Sequence, residues 1–144
     1  ILSNDLTDAS GRIVYSGCHD IAIVARSALI SIGYDVVFVD SVESDFLEGG
    51  SFSGHTFLEI HDPYNHSLFL YDPTAGKIYR GYDPNSYTLP GDYLAFAKGL
   101  DSWSMSITSV GELSVCLKRY RDEFYNTSPA TTFQHIDYRE IDLN

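Results

Sequence analysis

The spacing of apolar residues predicts a helix near the start of the chain. From Cys18 onward, apolar side chains recur every three to four residues, the period that places them on one face of an α-helix. Gly33 follows as a residue type that commonly ends helices. The pattern therefore predicts a helix over residues 19–32, with the recurring apolar positions Ile21, Ala25, Ala28, Leu29 and Ile32.

β-Branched and aromatic runs predict a strand and a hairpin after this helix. Residues 34–39 (YDVVFV) are typical of a short, largely buried strand. Two further runs, residues 54–61 (GHTFLEIH) and 67–72 (SLFLYD), flank residues 62–66, which are rich in turn-forming residue types. The pattern predicts a β-hairpin with a five-residue turn.

The segments around these strands are more polar. Residues 40–54 are rich in Asp, Glu, Gly and Ser, so we expect them to form an exposed and mobile loop. Residues 82–90 contain two prolines and are also expected to form a loop. Residues 77–79 and 93–97 are candidates for further strands of the sheet.

A second helix is predicted near the end of the chain. Ser109 and Glu112 have the spacing of a capping box, in which each side chain satisfies a backbone N–H at the helix start. Residues 126–144 lack periodicity and are expected to form a surface tail or to be partly disordered. After the capping box, one helical face carries Leu113, Leu117, Tyr120 and Phe124.

Length and charge narrow the class of protein. A chain of 144 residues without repeats or a long linker predicts one domain over residues 1–144. The 20 Asp and Glu against 9 Lys and Arg give a net charge of −11, which disfavours binding to nucleic acid or to an anionic membrane. The longest semi-apolar run, residues 21–32, is too short and too polar to span a bilayer. We therefore expect a soluble protein.

Localisation is left open by the sequence. The chain opens with Ile1, and no basic segment followed by an apolar one comes first, so an export signal would lie outside the printed residues. Two cysteines in 144 residues are too few for a disulfide-stapled secreted domain, and both are expected to be thiols.

Cys18 is the candidate nucleophile. It follows Ser16 and Gly17 at the first turn of the predicted helix, where unpaired backbone N–H groups and the helix dipole favour a thiolate. The alternative is that Cys18 only packs against its neighbours. Cys116 lies within the second predicted helix and is expected to be a packing residue.

The hairpin supplies a candidate base and a candidate orienting carboxylate. With the five-residue turn, His55 faces Pro73 and Asp72 faces Thr56, whereas a register shifted by one residue places His55 opposite Asp72. In both registers the two side chains are neighbours, so the carboxylate can hold one imidazole nitrogen and leave the other for a thiol. Cys18, His55 and Asp72 then form the nucleophile, base and orienting group of thiol acyl transfer.

The motifs that carry these residues resemble the transglutaminase-like cysteine enzymes. They are Ser-Gly-Cys-x-Asp at 16–20, Gly33, Gly-His-x-Phe-x-Glu at 54–59 and Tyr-Asp-Pro-Thr at 71–74. The segment Ala-Lys-Gly-Leu-Asp-Ser-Trp at 97–103 is similar to one found in microbial members. The resemblance implies an α+β, papain-like fold in which the cysteine helix packs on an antiparallel sheet, with a second helix towards the C-terminus.

The same resemblance implies an activity. A Cys-His-Asp triad of this family, carried over as Cys18, His55 and Asp72, transfers acyl groups from protein amides through an acyl-thioester and needs no cofactor. The expected partner is a protein or peptide that donates a glutamine and, in crosslinking, one that offers a lysine. Deamidation, proteolysis or amidase activity, and a non-catalytic binding module remain alternatives. Cytoplasmic action and delivery into a host cell as an effector are both compatible with the resemblance.

Other candidate groups are weaker. His19, His61, His66 and Asp62 lack the spacing of a metal site, and the acidic 40–48 segment is not a calcium loop, so we expect no metal. The backbone N–H of Cys18 is one expected oxyanion donor, and the second is left open between Ser16 and a residue before Ile1. A channel that limits water is expected to be lined by aromatic side chains, namely Phe57, Phe69, Tyr71 and Trp103.

Overall fold

The computed structural model describes residues 17–101, 104–105, 107, 109–126 and 139–140. Within them the protein is α+β, with one helix before the sheet and one after most of its strands. The helices are α1 (Cys18–Ser31) and α2 (Val110–Asn126). The strands are β1 (Asp35–Glu43), β2 (Gly54–His61), β3 (Leu68–Asp72), β4 (Lys77–Arg80), β5 (Thr88–Leu89), β6 (Tyr93–Gly99) and β7 (Arg139–Glu140).

All seven strands belong to one antiparallel sheet. Their spatial order is β5-β6-β1-β2-β3-β4-β7, so β1 and β2 lie at its centre. The predicted strands at 34–39, 54–61, 67–72, 77–79 and 93–97 are confirmed, although the first extends to Glu43 and the others differ by smaller amounts at their ends. The predicted antiparallel α+β class is therefore confirmed.

The first helix forms where the apolar period predicted it. It begins at Cys18 directly after Gly17 and ends at Ser31. Gly33, with a φ of 97°, closes it: its N–H donates to the carbonyl of Ile30, and the N–H of Tyr34 donates to that of Leu29. This left-handed residue and its pair of hydrogen bonds form a Schellman motif, which turns the chain directly into β1.

The sheet buries an apolar cluster on each face. On one face, Ala22 of α1 packs against Val36 and Phe38 of β1 and Leu58 and Ile60 of β2. The alternate positions of the same strands point to the other face. There the buried cluster consists of Val39, Phe57, Leu70, Tyr82, Leu89 and Ala95.

The hairpin register differs from the two that the sequence suggested. The observed pairs include His61 with Leu68, and Asp62 donates to the carbonyl of Ser67, so the turn contains four residues rather than five. His66 adopts a φ of 58°, a left-handed conformation that closes this shorter turn. The ladder, continued by one position beyond Leu58, puts Asp72 opposite Phe57 and not opposite Thr56 or His55.

Two predicted loops contain regular structure. Strand β1 runs on to Glu43, and Ser41, Val42 and Leu47 are buried, so the expected exposed loop over 40–54 is wrong in its first part. The acidic composition misled the prediction because Asp40 lies on the strand with hydrogen-bonded partners. The predicted loop at 82–90 includes the two-residue strand β5, which pairs with β6.

The second helix has the predicted start. The backbone N–H of Glu112 donates to the hydroxyl of Ser109 at 3.2 Å, and Leu117 is buried. In the part of the chain that the structure describes, no helix is both long and apolar enough to cross a membrane. The predicted tail over 126–144 contributes residues 139–140 as β7, and the remainder lies outside the described residues.

Candidate active site

Cys18 lies at the N-terminal end of α1, against the first residue of β2. It is the first helical residue, and no side chain caps the helix N-terminus. The thiol is half-buried, with its Sγ 4.0 Å from the carbonyl oxygen of Gly54. Unpaired N–H groups at a helix start stabilise a negative charge nearby. The sequence prediction that Cys18 opens the helix is confirmed.

His55 and Asp72 meet across the hairpin by a diagonal contact. The imidazole Nε2 lies 2.9 Å from Oδ2 of Asp72, and only 13% and 11% of the two side chains are exposed. Because Asp72 lies opposite Phe57 in the continued ladder, it shares a sheet face with His55, two residues away. Either register suggested by the sequence would have given a different pairing. The predicted neighbourhood of the two side chains nevertheless holds.

Aromatic rings hold the imidazole in place. The ring of Phe57 lies edge-on to His55 with 4.7 Å between centroids, and Tyr93 of β6 lies 5.2 Å away. Ser41 donates a hydrogen bond to the backbone carbonyl of His55 at 2.8 Å. These contacts, with Asp72 on Nε2, leave Nδ1 as the ring nitrogen available to the thiol.

The electrostatics favour a charged cysteine and a charged histidine. Interaction with His55 lowers the pKa of the Cys18 thiol, against the opposing effect of burial. Burial lowers the pKa of His55, but the hydrogen bond to Asp72 and the interaction with Cys18 outweigh it and raise that pKa to about 9. Burial raises the pKa of Asp72, whereas the hydrogen bond from His55 and two backbone N–H donors bring it below its usual value. Both shifts favour the thiolate–imidazolium form of the pair.

A cavity of about 500 Å³ opens beside the thiol. The exposed Phe52 ring lies over Gly54, where a Cβ would meet its Cζ at 2.6 Å, so a side chain at this position would require the ring to shift. Besides Cys18, Gly54 and Phe52, the cavity is lined by His19, Asp40, Ser41, His55, Thr56, Phe96, Ile107, Ser109 and Leu113.

Three of the four aromatic side chains predicted to line the cavity do not line it. Phe57 is buried in the core, and Phe69 and Tyr71 pack against the cluster beneath α1. These three side chains point away from the cavity because each occupies a core-facing position of its strand. Trp103 and Ser16 lie outside the described residues. The sequence missed Phe52 and Phe96, which line the cavity instead.

A hydrogen-bonded cluster of three more polar residues lines the same cavity. His19, Thr56 and Asp40 come from α1, β2 and β1, and the sequence analysis did not connect them. Alternation along β1 and β2 would have placed Asp40 and Thr56 on one face, had β1 been extended past Val39. Within the described ranges, no group of three or more His, Cys, Asp and Glu side chains is arranged to hold a metal ion.

Comparisons of the chain with protein-family models, with curated proteins and with solved structures found no match. The resemblance to transglutaminase-like enzymes therefore remains an interpretation of the sequence motifs. The geometry of the site is independent of it.

We expect the two cysteines to differ strongly in reactivity. Both are free and partly exposed, but only Cys18 combines a helix N-terminus with an imidazole partner. Iodoacetamide at neutral pH should therefore label Cys18 at least about tenfold faster than Cys116. Peptide mass spectrometry over a time course measures both rates in one sample. Equal rates, or faster labelling of Cys116, would contradict the assignment of Cys18 as the nucleophile.

Proposed function

We propose that the protein is a thiol-dependent acyltransferase that acts on the side-chain amide of protein glutamine, as a transglutaminase or a deamidase. The observation that carries the proposal is a hydrogen-bonded His55–Asp72 pair whose imidazole lines the same open cavity as the thiol of Cys18 and lowers its pKa. A nucleophile, a base and a group that orients the base are what acyl transfer through a thioester requires.

The first half-reaction forms a thioester. The Cys18 thiolate attacks the amide carbon, and the new S–C bond gives a tetrahedral intermediate with a negative oxygen. His55 then donates its proton to the amide nitrogen, the C–N bond breaks and ammonia leaves. Asp72 holds the ring in the orientation that directs Nδ1 at the thiol and stabilises its positive charge.

The second half-reaction transfers the acyl group. Neutral His55 removes a proton from a lysine amine or from water, which attacks the thioester carbon, and Cys18 leaves as thiolate. An amine gives a crosslink and water gives a glutamate. The apolar lining from Phe52, Phe96 and Leu113 favours an amine over water as the acceptor, because it reduces the access of water to the thioester.

The charge of the protein also favours an amine acceptor. A net charge of −11 attracts cations, and this attraction weakens as salt screens it. Incorporation of a fluorescent cationic amine into a glutamine-rich protein should therefore fall by at least about twofold from low to high ionic strength. Hydroxylamine, an uncharged nucleophile at neutral pH, serves as the matched control, and its incorporation should not change with ionic strength.

The products of the same experiment separate the alternatives. Incorporation that requires Cys18 and falls with salt supports the transferase. Ammonia release without incorporation would make the protein a deamidase, and new peptide termini would make it a peptidase. No Cys18-dependent product from any amide substrate would contradict the proposal and leave a binding module.

A further inference from the structure

A second histidine–aspartate pair lies beside Cys18. Nδ1 of His19 is 3.3 Å from the hydroxyl of Thr56 and 3.7 Å from Oδ1 of Asp40. The Thr56 hydroxyl in turn donates to the same Asp40 oxygen at 2.9 Å. The triad does not use these three side chains, yet all three line the cavity that contains the thiol.

The hydrogen bonds define how the imidazole of His19 is protonated. Thr56 has one hydroxyl proton, which it gives to Asp40, so its oxygen can only accept from Nδ1–H of His19. The ring is also packed against Phe38, with 5.4 Å between centroids. His19 is therefore held through Nδ1 on one side, while 38% of its side chain remains exposed at the cavity.

The charges around His19 favour protonation of the second ring nitrogen as well. The Asp40 carboxylate, 3.7 Å away, raises the pKa of His19 above its ordinary value, although burial opposes this. Cys18 and Asp20 on α1 add to the effect, whereas β2 contributes the neutral Thr56. In the imidazolium form both nitrogens are donors. Nε2–H is then a charged donor next to the nucleophile.

The reaction needs such a donor. A tetrahedral intermediate carries a negative oxygen, and the backbone N–H of Cys18 is one group that can bind it. Among the described side chains of the cavity, Ser41 and Thr56 already donate their hydroxyl protons. His55 transfers the reaction's proton. Two donors remain, His19 and Ser109, and only His19 adjoins Cys18 in the chain.

We propose that His19 is a catalytic residue that donates from Nε2 to the oxygen of the tetrahedral intermediate, with Asp40 and Thr56 as its positioning residues. This inference rests on the proposed function, because it assigns a role within acyl transfer at Cys18. It also accounts for a carboxylate and a hydroxyl that hold a histidine at the edge of the cavity.

Two reactions of Cys18 test the proposal separately. Iodoacetamide is attacked at a saturated carbon: the S–C bond forms, iodide leaves and no oxyanion develops. p-Nitrophenyl acetate is attacked at a carbonyl, so its burst of p-nitrophenolate passes through a tetrahedral oxyanion. H19A should lower the burst rate by about 10²-fold and leave the alkylation rate within about threefold of the wild-type rate.

Further variants sharpen the result. H19Q retains an N–H donor and should recover part of the burst rate, which also guards against loss of folding in H19A. S27A removes an exposed hydroxyl of α1 that donates to the carbonyl of Ile23 and should leave both reactions unchanged. S109A removes the other unassigned donor, and a selective loss of its burst rate as large as that in H19A would overturn the assignment. D40N should lower the pKa of His19, so its burst rate should approach the wild-type rate at low pH and fall as the ring loses its proton. A purely structural role of Asp40 would lower the rate equally at all pH values.

The outcomes distinguish this inference from the proposed function. A parallel loss of alkylation and acylation in H19A would mean that His19 acts on the thiolate rather than on the oxyanion. No loss of either rate would mean that His19 has no role in the reaction. Both results would overturn the inference. A wild-type burst with no transfer from glutamine would contradict the proposed function while the comparison with H19A still tests His19. A wild-type protein with no Cys18-dependent burst would contradict both.

Discussion

Replacement of Cys18 by alanine is expected to abolish acyl transfer while the protein stays folded. The substitution removes the only sulfur placed at the helix N-terminus with His55 beside it. Loss of a nucleophile leaves no route to a thioester, so the turnover number should fall by roughly 10⁵-fold or more. Because Cys18 is only half-buried, the free energy of unfolding should change by no more than about 1 kcal/mol.

The measurement pairs ammonia release and amine incorporation with a denaturation curve. Cys116→Ala is the matched control, since it removes the other free thiol from the middle of α2. The control should retain full activity. Activity that survives in C18A, or that disappears in C116A, would show that the chemistry does not depend on the proposed nucleophile.

Asp72→Asn is expected to keep the fold and lose most of the activity, because the two carboxylate oxygens have different roles. Oδ1 accepts the backbone N–H groups of Thr74 and Ala75 at 3.0 Å each, and Oδ2 faces His55. An asparagine keeps an oxygen for the turn and places an NH₂ group against Nε2. The turn is preserved, but Nε2 of His55 must now accept a hydrogen bond from this NH₂ group.

The consequence is the wrong protonation state of the imidazole. With Nε2 accepting from the amide, the neutral ring of His55 carries its proton on Nδ1 and cannot take the one from Cys18. The equivalent change in serine triads costs roughly 10⁴ in turnover, and we expect a similar loss here. His55→Ala should be at least as damaging, since it removes the base itself.

The pH profile gives a second readout of the same substitution. Acylation requires the imidazolium, so the wild-type rate should fall as pH rises through the His55 pKa of about 9. Removal of the carboxylate lowers that pKa, and the falling limb of the residual rate should move to lower pH. Asp83→Asn, which changes an exposed turn carboxylate that accepts from Asn85, is the matched control. Activity retained in D72N would contradict the role of Asp72 as the group that orients His55.

The sequence predicted the local elements well because their signals are local. The period of apolar residues around Ile21 gave α1 to within one residue at each end, and Gly33 marked its end. Ser109 and Glu112 likewise marked the start of α2. The pairing of His55 with Asp72 was also accessible, because a short hairpin restricts which residues can meet.

The rest depends on contacts between distant parts of the chain. The register was wrong because the turn closes at Asp62 and Ser67, which the residue types alone do not determine. Strand β1 was ended too early, since the burial of Asp40 depends on Thr56 and His19 from other elements. Composition alone gives no indication of such partners.

A buried ionic cluster on the face of the sheet opposite α1 also depends on contacts that the sequence did not reveal. Glu59 is 7% exposed and accepts hydrogen bonds from Tyr82 at 2.7 Å and from Lys98 at 3.1 Å. Tyr82 was expected in a loop, and Lys98 lies 39 residues from Glu59 along the chain. Residues so far apart meet only after β1 and β2 have brought β6 beside them.

Trapping the thioester shows directly whether acyl transfer passes through Cys18. A glutamine-containing peptide incubated with the protein at limiting acceptor, then quenched in acid, should add to Cys18 the mass of the peptide less about 17 Da for the ammonia released. Intact-mass and peptide mass spectrometry should locate the adduct on Cys18 in the wild type and in C116A, and find none in C18A. Ammonia release or amine incorporation that continues in C18A, or an adduct on another residue, would contradict the account.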